Sequence, residues 1–339
     1  MNILVTGATG YIGVALLHAL CRLSLRDCSI YALTRKTSPI ARLASLPVHF
    51  VQGDVTHAPS LWEATKEIDV VFHTAGLVSF EQRQYRRLYE TNVVGTRNVV
   101  DACLKNGVKR LIHTSSTAAI GAIGDGTLSN EDSVFQSWQM RIGYMASKYL
   151  AELEVMRGVA EGLDAVMVNP GIVVGRSHGI ENSASQLLRD VFAGKVPFYP
   201  IGGASFVDIE DVATAHILAW QKGKCGERYI VVSQNLRYQA LFEILAGYGG
   251  RSRSAVALSR GLGRLIALGA EFFSSLAGLR SPITLDSIRL SERTLFYDNT
   301  KSCHELGISY LPFALTLERL LSSYNLLLKF RSRNEELLH

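Results

Sequence analysis

Cysteine pairs, metal-ligand spacings, charge of one sign and membrane-length apolar runs are all scarce here, and each shortage removes a class of protein. The five cysteines, at positions 21, 28, 103, 225 and 303, are an odd number with no CxxC pair. They cannot organise a disulfide framework or a zinc ribbon, and read as reduced packing residues. The nine histidines show neither HxxxH nor HExxH spacing, so no metal is expected. Thirty-five basic residues face 30 acidic ones, a mild net charge of +5. Two basic runs, RSR at 251–253 and KFRSR at 329–333, are short and read as solvated surface, so nucleic acid is not an expected partner. No segment reads as a membrane span. The most apolar late stretch, residues 261–279, is interrupted by Arg264 and Glu271 and reads as an amphipathic helix. Repeats and low-complexity tracts are missing too. The chain starts directly on a strand-like run, so no signal peptide and a cytoplasmic location are expected.

What is present is a globular composition, 47% hydrophobic and 19% charged over 339 residues, enough for two domains or one elaborated one. The run Ile3 to Val5 reads as a buried strand, and from Tyr11 onward Ile12, Ala15, Leu16, Ala19 and Leu20 recur at helical spacing. Between them lies TGATGYIG, with Gly7, Gly10 and Gly13. One glycine suits a turn with unusual backbone angles, one lets a phosphate approach the chain, and one lets helix and strand pack closely. The N–H groups of the loop and helix start, around Thr9, Tyr11 and Ile12, would then face a dinucleotide pyrophosphate. A plain tight turn is the other reading, since the spacing is one residue wider than the usual fingerprint.

Further strand candidates are 29–33, 48–51, 69–73, 109–113, 164–169 and 227–233, with helical patterns between most of them, notably 85–106 and 144–161. This alternation predicts an α/β protein with a Rossmann-type doubly wound parallel sheet. Residues 176–206 are polar and glycine-rich, and 234–339 read as mainly helical. The expected layout is discontinuous: a cofactor domain from 1–175 and 207–233, and a smaller, mainly helical substrate lobe from 176–206 and 234–339.

The second strand runs into Arg35 and Lys36, where an enzyme preferring NAD usually carries an acid. A guanidinium there suits a 2′-phosphate, which favours NADP(H) over NAD(H); a solvated surface arginine is the plain alternative. Asp54, followed by Val55, could accept the adenine amino group or cap a helix. His73 reads as a satisfied core histidine, and Thr74, Ala75 and Gly76 as small residues against a cofactor. Tyr144 and Lys148 stand four apart on one helix face. An adjacent ammonium and a cationic nicotinamide would favour the phenolate and lower its pKa, making the pair a proton donor to a carbonyl. Thr114, Ser115, Ser116 and Thr117, after the fifth strand, supply a hydroxyl.

TGATGYIG, Asn92-Val93-Val94-Gly95-Thr96, the TSS triplet, YMASK, the stretch from Val168 to Val173 and that from Phe206 to Val212 follow one another in a familiar order. This order resembles the extended short-chain dehydrogenase/reductases, and most of all their dihydroflavonol-4-reductase-like branch, which includes hopanoid-associated sugar epimerase-like proteins. The resemblance implies Tyr144 as acid/base, Lys148 as its pKa partner and ribose ligand, and Ser116 as the polarising hydroxyl, with Ser115 and Thr117 as neighbouring registers. It also implies that Asn92 steadies the backbone near the cofactor, and that Pro170, Gly171, Ile172 and Val173 line the nicotinamide side. The expected activity is a carbonyl–alcohol interconversion with NADP(H) on a small molecule. A nucleotide-sugar epimerase or dehydratase, with Arg176, Arg189 and Lys195 reading a diphosphate, is the second reading, and a non-catalytic cofactor sensor the third. Leu77, Val78, Phe80, Phe198, Tyr199, Phe206, Phe272 and Phe273 suggest an apolar or aromatic substrate, or else the lobe's own core. The helices 85–106 and 144–161 could pair a homodimer or pack only on the sheet.

Overall fold

The computed structural model describes residues 1–23, 27–249, 255–276, 281 and 283–323, and the basic runs at 251–253 and 329–333 fall outside these. Seven strands form the main sheet: Asn2–Thr6, Ser29–Thr34, His49–Gln52, Val70–His73, Arg110–Thr114, Ala165–Pro170 and Arg228–Val231. Every pairing in it is parallel. From one edge to the other the chain order is third, second, first, fourth, fifth, sixth, seventh. The direction of winding reverses between the first and fourth strands, and a crevice opens there beyond their carboxyl ends.

Both faces of the sheet are covered, so the strand residues alternate between two cores. Ile3, Val5, Phe72, Ile112 and Val168 pack under the helices Tyr11–Arg22 and Ile209–Lys222. Leu4, Val71, Leu111 and Met167 pack under Ala58–Ala64, Gly95–Asn106 and Gly143–Ala160. The helical pattern expected over 85–106 is not one regular helix. It comprises Tyr85–Leu88, a π turn over Tyr89–Val94 and then Gly95–Asn106.

The later chain is mainly helical, as expected, and its few short strands join others from earlier in the chain in a second sheet. Gly203–Asp208 is its centre, pairing antiparallel with Gln234–Arg237 and parallel with Ile172–Val174 and Thr294–Tyr297; Asp125–Ser129 adds to the last of these. The helices Ser183–Phe192, Tyr238–Gly247 and Phe313–Ser322 close a third core over it, around Phe206, Phe242, Phe313 and Leu317. These strands are short, and several carry polar residues on an edge, so neither alternation nor composition marks them out. Among the described residues no helix is long and apolar enough to cross a membrane.

Candidate functional site

The glycine loop sits at the crevice. Gly7 has φ +65°, and a Cβ there would stand 2.5 Å from the Ala75 nitrogen, so the loops after the first and fourth strands touch backbone to backbone. A Cβ on Gly13 would stand 2.2 Å from the Gly7 carbonyl oxygen. Gly10 N–H donates to Gly7 O (2.8 Å), closing the turn, and Gly10 caps the helix Tyr11–Arg22 with no side chain over its first N–H groups. This surface has small residues, free backbone donors and the positive end of a helix, a combination that fits a pyrophosphate. Thr9, Tyr11 and Ile12 are half-buried around it. The Tyr11 hydroxyl is committed elsewhere: it donates to Gly175 O (2.8 Å), so only the Tyr11 backbone faces the loop's opening.

Arg35 and Lys36 are exposed beyond the second strand, and neither side chain has a partner among the described residues. Asp54 is not a helix cap, as one reading of the sequence had it. Its Oδ1 accepts from the Thr56 N–H (2.9 Å) and hydroxyl (2.8 Å), while His57 caps the next helix. Val55 is buried against Gly95, and its carbonyl accepts from Asn98 (2.9 Å). Thr74 donates to Thr6 O (2.7 Å), and His73 is enclosed between Thr6 Oγ1 (2.7 Å) and Thr96 Oγ1 (3.1 Å). Asn92 lies in the π turn and clamps Leu77, accepting from its N–H (2.7 Å) and donating to its carbonyl (2.9 Å); the same amide donates to Ser147 Oγ (2.9 Å). A Cβ on Gly76 would lie 3.4 Å from both Asn92 Oδ1 and Lys148 Nζ, so an alanine there has room.

The helix Gly143–Ala160 brings the side chains of chemical interest together. Ser116 begins a short turn after the fifth strand, its Oγ accepting from Ala118 N–H (3.1 Å) and standing 3.5 Å from Pro170 O. That hydroxyl lies near enough to the Tyr144 phenol to work against the rise of its pKa, and the phenol ring meets Phe80 edge-on at 5.6 Å between centroids. Ser115 Oγ is instead buried, with no hydrogen-bond partner among the described residues. Lys148 is buried and donates to Thr114 O (2.9 Å); burial lowers its pKa to about 8, with Glu152 opposing. Burial raises the phenol's own pKa and Ser116 opposes, while the Lys148 ammonium donates to the Thr114 carbonyl. Thr114 uses its own hydroxyl on His216 Nε2 (2.6 Å). Pro170 ends the sixth strand, Gly171 is pressed against Ser205 O, and Ile172 and Val173 begin the second sheet.

Three neighbours escaped the sequence reading. Glu152, one helical step beyond Lys148, is buried and bonded to Asn169 Nδ2 (2.5 Å) and Arg228 Nη1 (3.1 Å). Asn169 also donates to Ser116 O (3.0 Å), so Glu152 supports the turn that carries the hydroxyl. The repeat Tyr144, Lys148, Glu152 at four-residue steps was the available signal. The third, His216, is buried with His73 and His113 beneath the site. Burial lowers the pKa of His73 to about 3 and of His216 to about 4, and holds His113 far down as well.

The aromatic set divides. Phe80 reaches Tyr144, whereas Phe206 packs on Phe313 (5.0 Å) in the lobe core and Phe272 and Phe273 face solvent. Arg189 pairs with Glu181 (3.6 Å), Lys195 with Asp190 (3.0 Å), and Arg176 donates to Ser323 O (3.0 Å), so these cations do not converge. Arginines converge elsewhere. A cavity of about 480 Å³ beside Ile142, two residues before Tyr144, is lined by Arg141, Arg260, Arg264, Arg289 and Arg293, with Asp286 and Glu292 among them. No group of three or more histidines, cysteines and acids that could hold a metal occurs among the described residues.

The sequence signature of a family described as NAD dependent epimerase/dehydratase matches residues 3–232. A putative dihydroflavonol 4-reductase of Synechocystis sp. is 30% identical over 90% of this chain and 89% of its own. Sterol demethylase protein B of Methylococcus capsulatus is 31% identical, covering 91% of this chain and 93% of its own. The crystal structure of gox2253 superposes with a TM-score of 0.80 at 30% identity, over 95% of this chain and 97% of that one.

Proposed function

Because the chain belongs to the NAD dependent epimerase/dehydratase family, as an NAD(P)-dependent oxidoreductase of the extended short-chain type, we propose that it interconverts a carbonyl and a secondary alcohol on a small apolar or aromatic substrate, with NADP(H) preferred. The observation that carries this reading is the approach of Ser116 to Tyr144, one helical step before the buried Lys148 on the same helix. Gly7, Gly10, Gly13 and the helix start would hold the pyrophosphate, Arg35 and Lys36 a 2′-phosphate, and Thr74, Ala75, Gly76 and Pro170 to Val173 the sides of the dinucleotide. A bound nicotinamide supplies or removes the hydride at the reacting carbon. Ser116 hydrogen-bonds the substrate oxygen and holds it against Tyr144. The phenol, protonated at neutral pH because burial raises its pKa, gives that oxygen a proton during reduction and recovers one from solvent. The Lys148 ammonium stabilises the transient phenolate. Phe80 beside Tyr144 favours an apolar substrate face, and the flavonol and sterol in the relatives' names are ring compounds.

The test is NADPH oxidation against a panel of carbonyl compounds, with Tyr144→Phe as control. Removing a general acid typically costs about 10²–10⁴-fold in rate, and cofactor affinity should stay nearly unchanged. Full activity in Tyr144→Phe would refute the mechanism. Arg35→Asp should weaken NADPH far more than NADH; tighter NADH than NADPH binding by the native protein would refute the preference.

The arginine-lined cavity beside Ile142 favours a second reading, a substrate carrying a phosphate or diphosphate, as an epimerase or dehydratase would use. A purified protein that keeps oxidised cofactor through dialysis and inverts a nucleotide sugar without net NADPH loss would establish it. A homodimer through the outer face of Gly143–Ala160 is supported by exposed Leu153 and Met156, and light scattering tests it.

A further inference from the structure

The helix Gly143–Ala160, which carries Tyr144 and Lys148, starts without a side-chain cap: Ile142 stands at its N-cap, and its first turn holds no acid. The N–H groups of a first turn have no partner within their own helix, so this end must be held from outside. Tyr85 lies there. A Cβ on Gly143 would stand 2.5 Å from two carbons of the Tyr85 ring, so the ring rests on the helix backbone one residue before Tyr144. Only a glycine leaves room for that contact. At the other end of its side chain, the Tyr85 hydroxyl donates to Asp286 Oδ2, 201 residues further along the chain.

A phenol has one proton to give. With that proton on Asp286, the Tyr85 oxygen can only accept from its other neighbour, the Gly143 N–H, which lies near enough to work against the rise of the phenol's pKa. Burial and Asp286 push that value up to about 12, so the hydroxyl keeps its proton at neutral pH. Asp286 is 2% exposed and belongs to the lobe helix Leu285–Ser291, whose start is fixed by a capping box between Thr284 and Ser287. Its other oxygen has Arg289 at 3.6 Å, and the same carboxylate borders the arginine-lined cavity. The lobe and the head of the catalytic helix are thus joined at one buried carboxylate, through a side chain that belongs to neither.

This end of the helix is where a small error costs most. Tyr144 follows Gly143 directly, and proton transfer asks for heavy atoms within hydrogen-bond reach. A displacement of about 1 Å can cost about 10²-fold in rate. We propose that Tyr85 is a positioning residue: held by Asp286, it sets the head of the Gly143–Ala160 helix and so the place of the Tyr144 phenol, which ties the proton donor to the seating of the substrate lobe. The proposal rests on the reading of Tyr144 as that donor.

Tyr85→Phe keeps the ring on Gly143 and removes only the hydroxyl. It should lower kcat for carbonyl reduction by about tenfold or more and leave the KM for NADPH nearly unchanged. Asp286→Asn, which still offers Tyr85 an acceptor, should keep most of the rate. Asp286→Leu should reproduce the loss, and joining it to Tyr85→Phe should add little, because both break the same link. Gly143→Ala reaches the contact from the other side. Alanine favours a helix over glycine, yet its methyl must displace the Tyr85 ring, so this variant should fold and lose rate as well. NMR of isotope-labelled tyrosine gives a readout that needs no substrate. The Tyr144 signal, identified by its absence from Tyr144→Phe, should move in Tyr85→Phe while that of Tyr229 stays in place. Native kcat in Tyr85→Phe would overturn the proposal. So would an equal loss of cofactor affinity, or effects of Tyr85→Phe and Asp286→Leu that multiply in the double variant. Should the native protein reduce no carbonyl compound, the catalytic reading fails by itself; a shifted Tyr144 signal would still uphold the placement by Tyr85, and an unmoved one would overturn it.

Discussion

An ammonium 2.9 Å from the Thr114 carbonyl, almost cut off from water, loses its proton at about 8, well below an ordinary lysine. If carbonyl reduction needs both that ammonium and a protonated phenol, raising the pH removes Lys148's charge first, since burial holds Tyr144 above its ordinary value. The kcat/KM for reduction should therefore fall as pH rises through about 8, and Lys148→Arg should push that limb to higher pH while lowering the rate. A pH–rate profile of the two proteins checks this; identical alkaline limbs would detach Lys148 from the chemistry. Ser116, Tyr144 and Lys148 were legible because each lies in a compact pattern whose spacing carries the geometry. The Ser115/Ser116 ambiguity was not legible, because both hydroxyls follow the same strand and only the fold decides which meets the phenol. Glu152 was hidden for a different reason: its partners Asn169 and Arg228 are 17 and 76 residues away.

Among the elements, the π turn Tyr89–Val94 has the most specific task. One extra residue in the helical winding accompanies an inward-facing Asn92, whose amide holds both backbone groups of Leu77. Asn92→Leu leaves both Leu77 groups without this partner, at a cost of about 1–3 kcal/mol for each one that stays buried and unpaired, while Ser147 keeps its bond to Tyr144 O. The melting temperature should fall and the cofactor affinity with it, since Leu77 continues the Thr74–Gly76 segment. Asn92→Asp, which keeps an acceptor for Leu77 N–H, should lose less in both measurements. The sequence marks a helix over 85–106 but not its π turn, because periodicity reports which residues face inward and not how one surplus residue is accommodated. The second sheet escaped for a related reason: its strands are held by partners far away in the chain, with Asp125–Ser129 joining Thr294–Tyr297.

At the scale of the whole molecule, His73, His113 and His216 set an acid limit on stability. All three are buried and have depressed pKa values, so the folded state stays unprotonated where the unfolded chain takes up protons. Their contribution is fully present above the unfolded value of about 6.5. It is lost progressively as the pH falls below that, towards about 4 for His216 and about 3 for His73. Each histidine steepens the loss by about 1.4 kcal/mol per pH unit within its window. Chemical denaturation between pH 7 and 5 should show this slope, and His73→Asn should reduce it. If the variant and native proteins lose stability in parallel, His73 does not contribute. The doubly wound sheet was legible from alternation alone, because burial on both faces imposes continuous apolar runs that few other arrangements need.

The contact between Gly7 and Ala75 also bears on how such a protein can diverge. Two positions 68 residues apart leave no space for a single methyl group between them, so neither loop can drift by one substitution without the other giving way. Arg35, by contrast, is exposed, and its side chain has no hydrogen-bond or ion-pair partner among the described residues. Position 35 is therefore open to substitution in a single step, while the paired loops at Gly7 and Ala75 are inherited as a block.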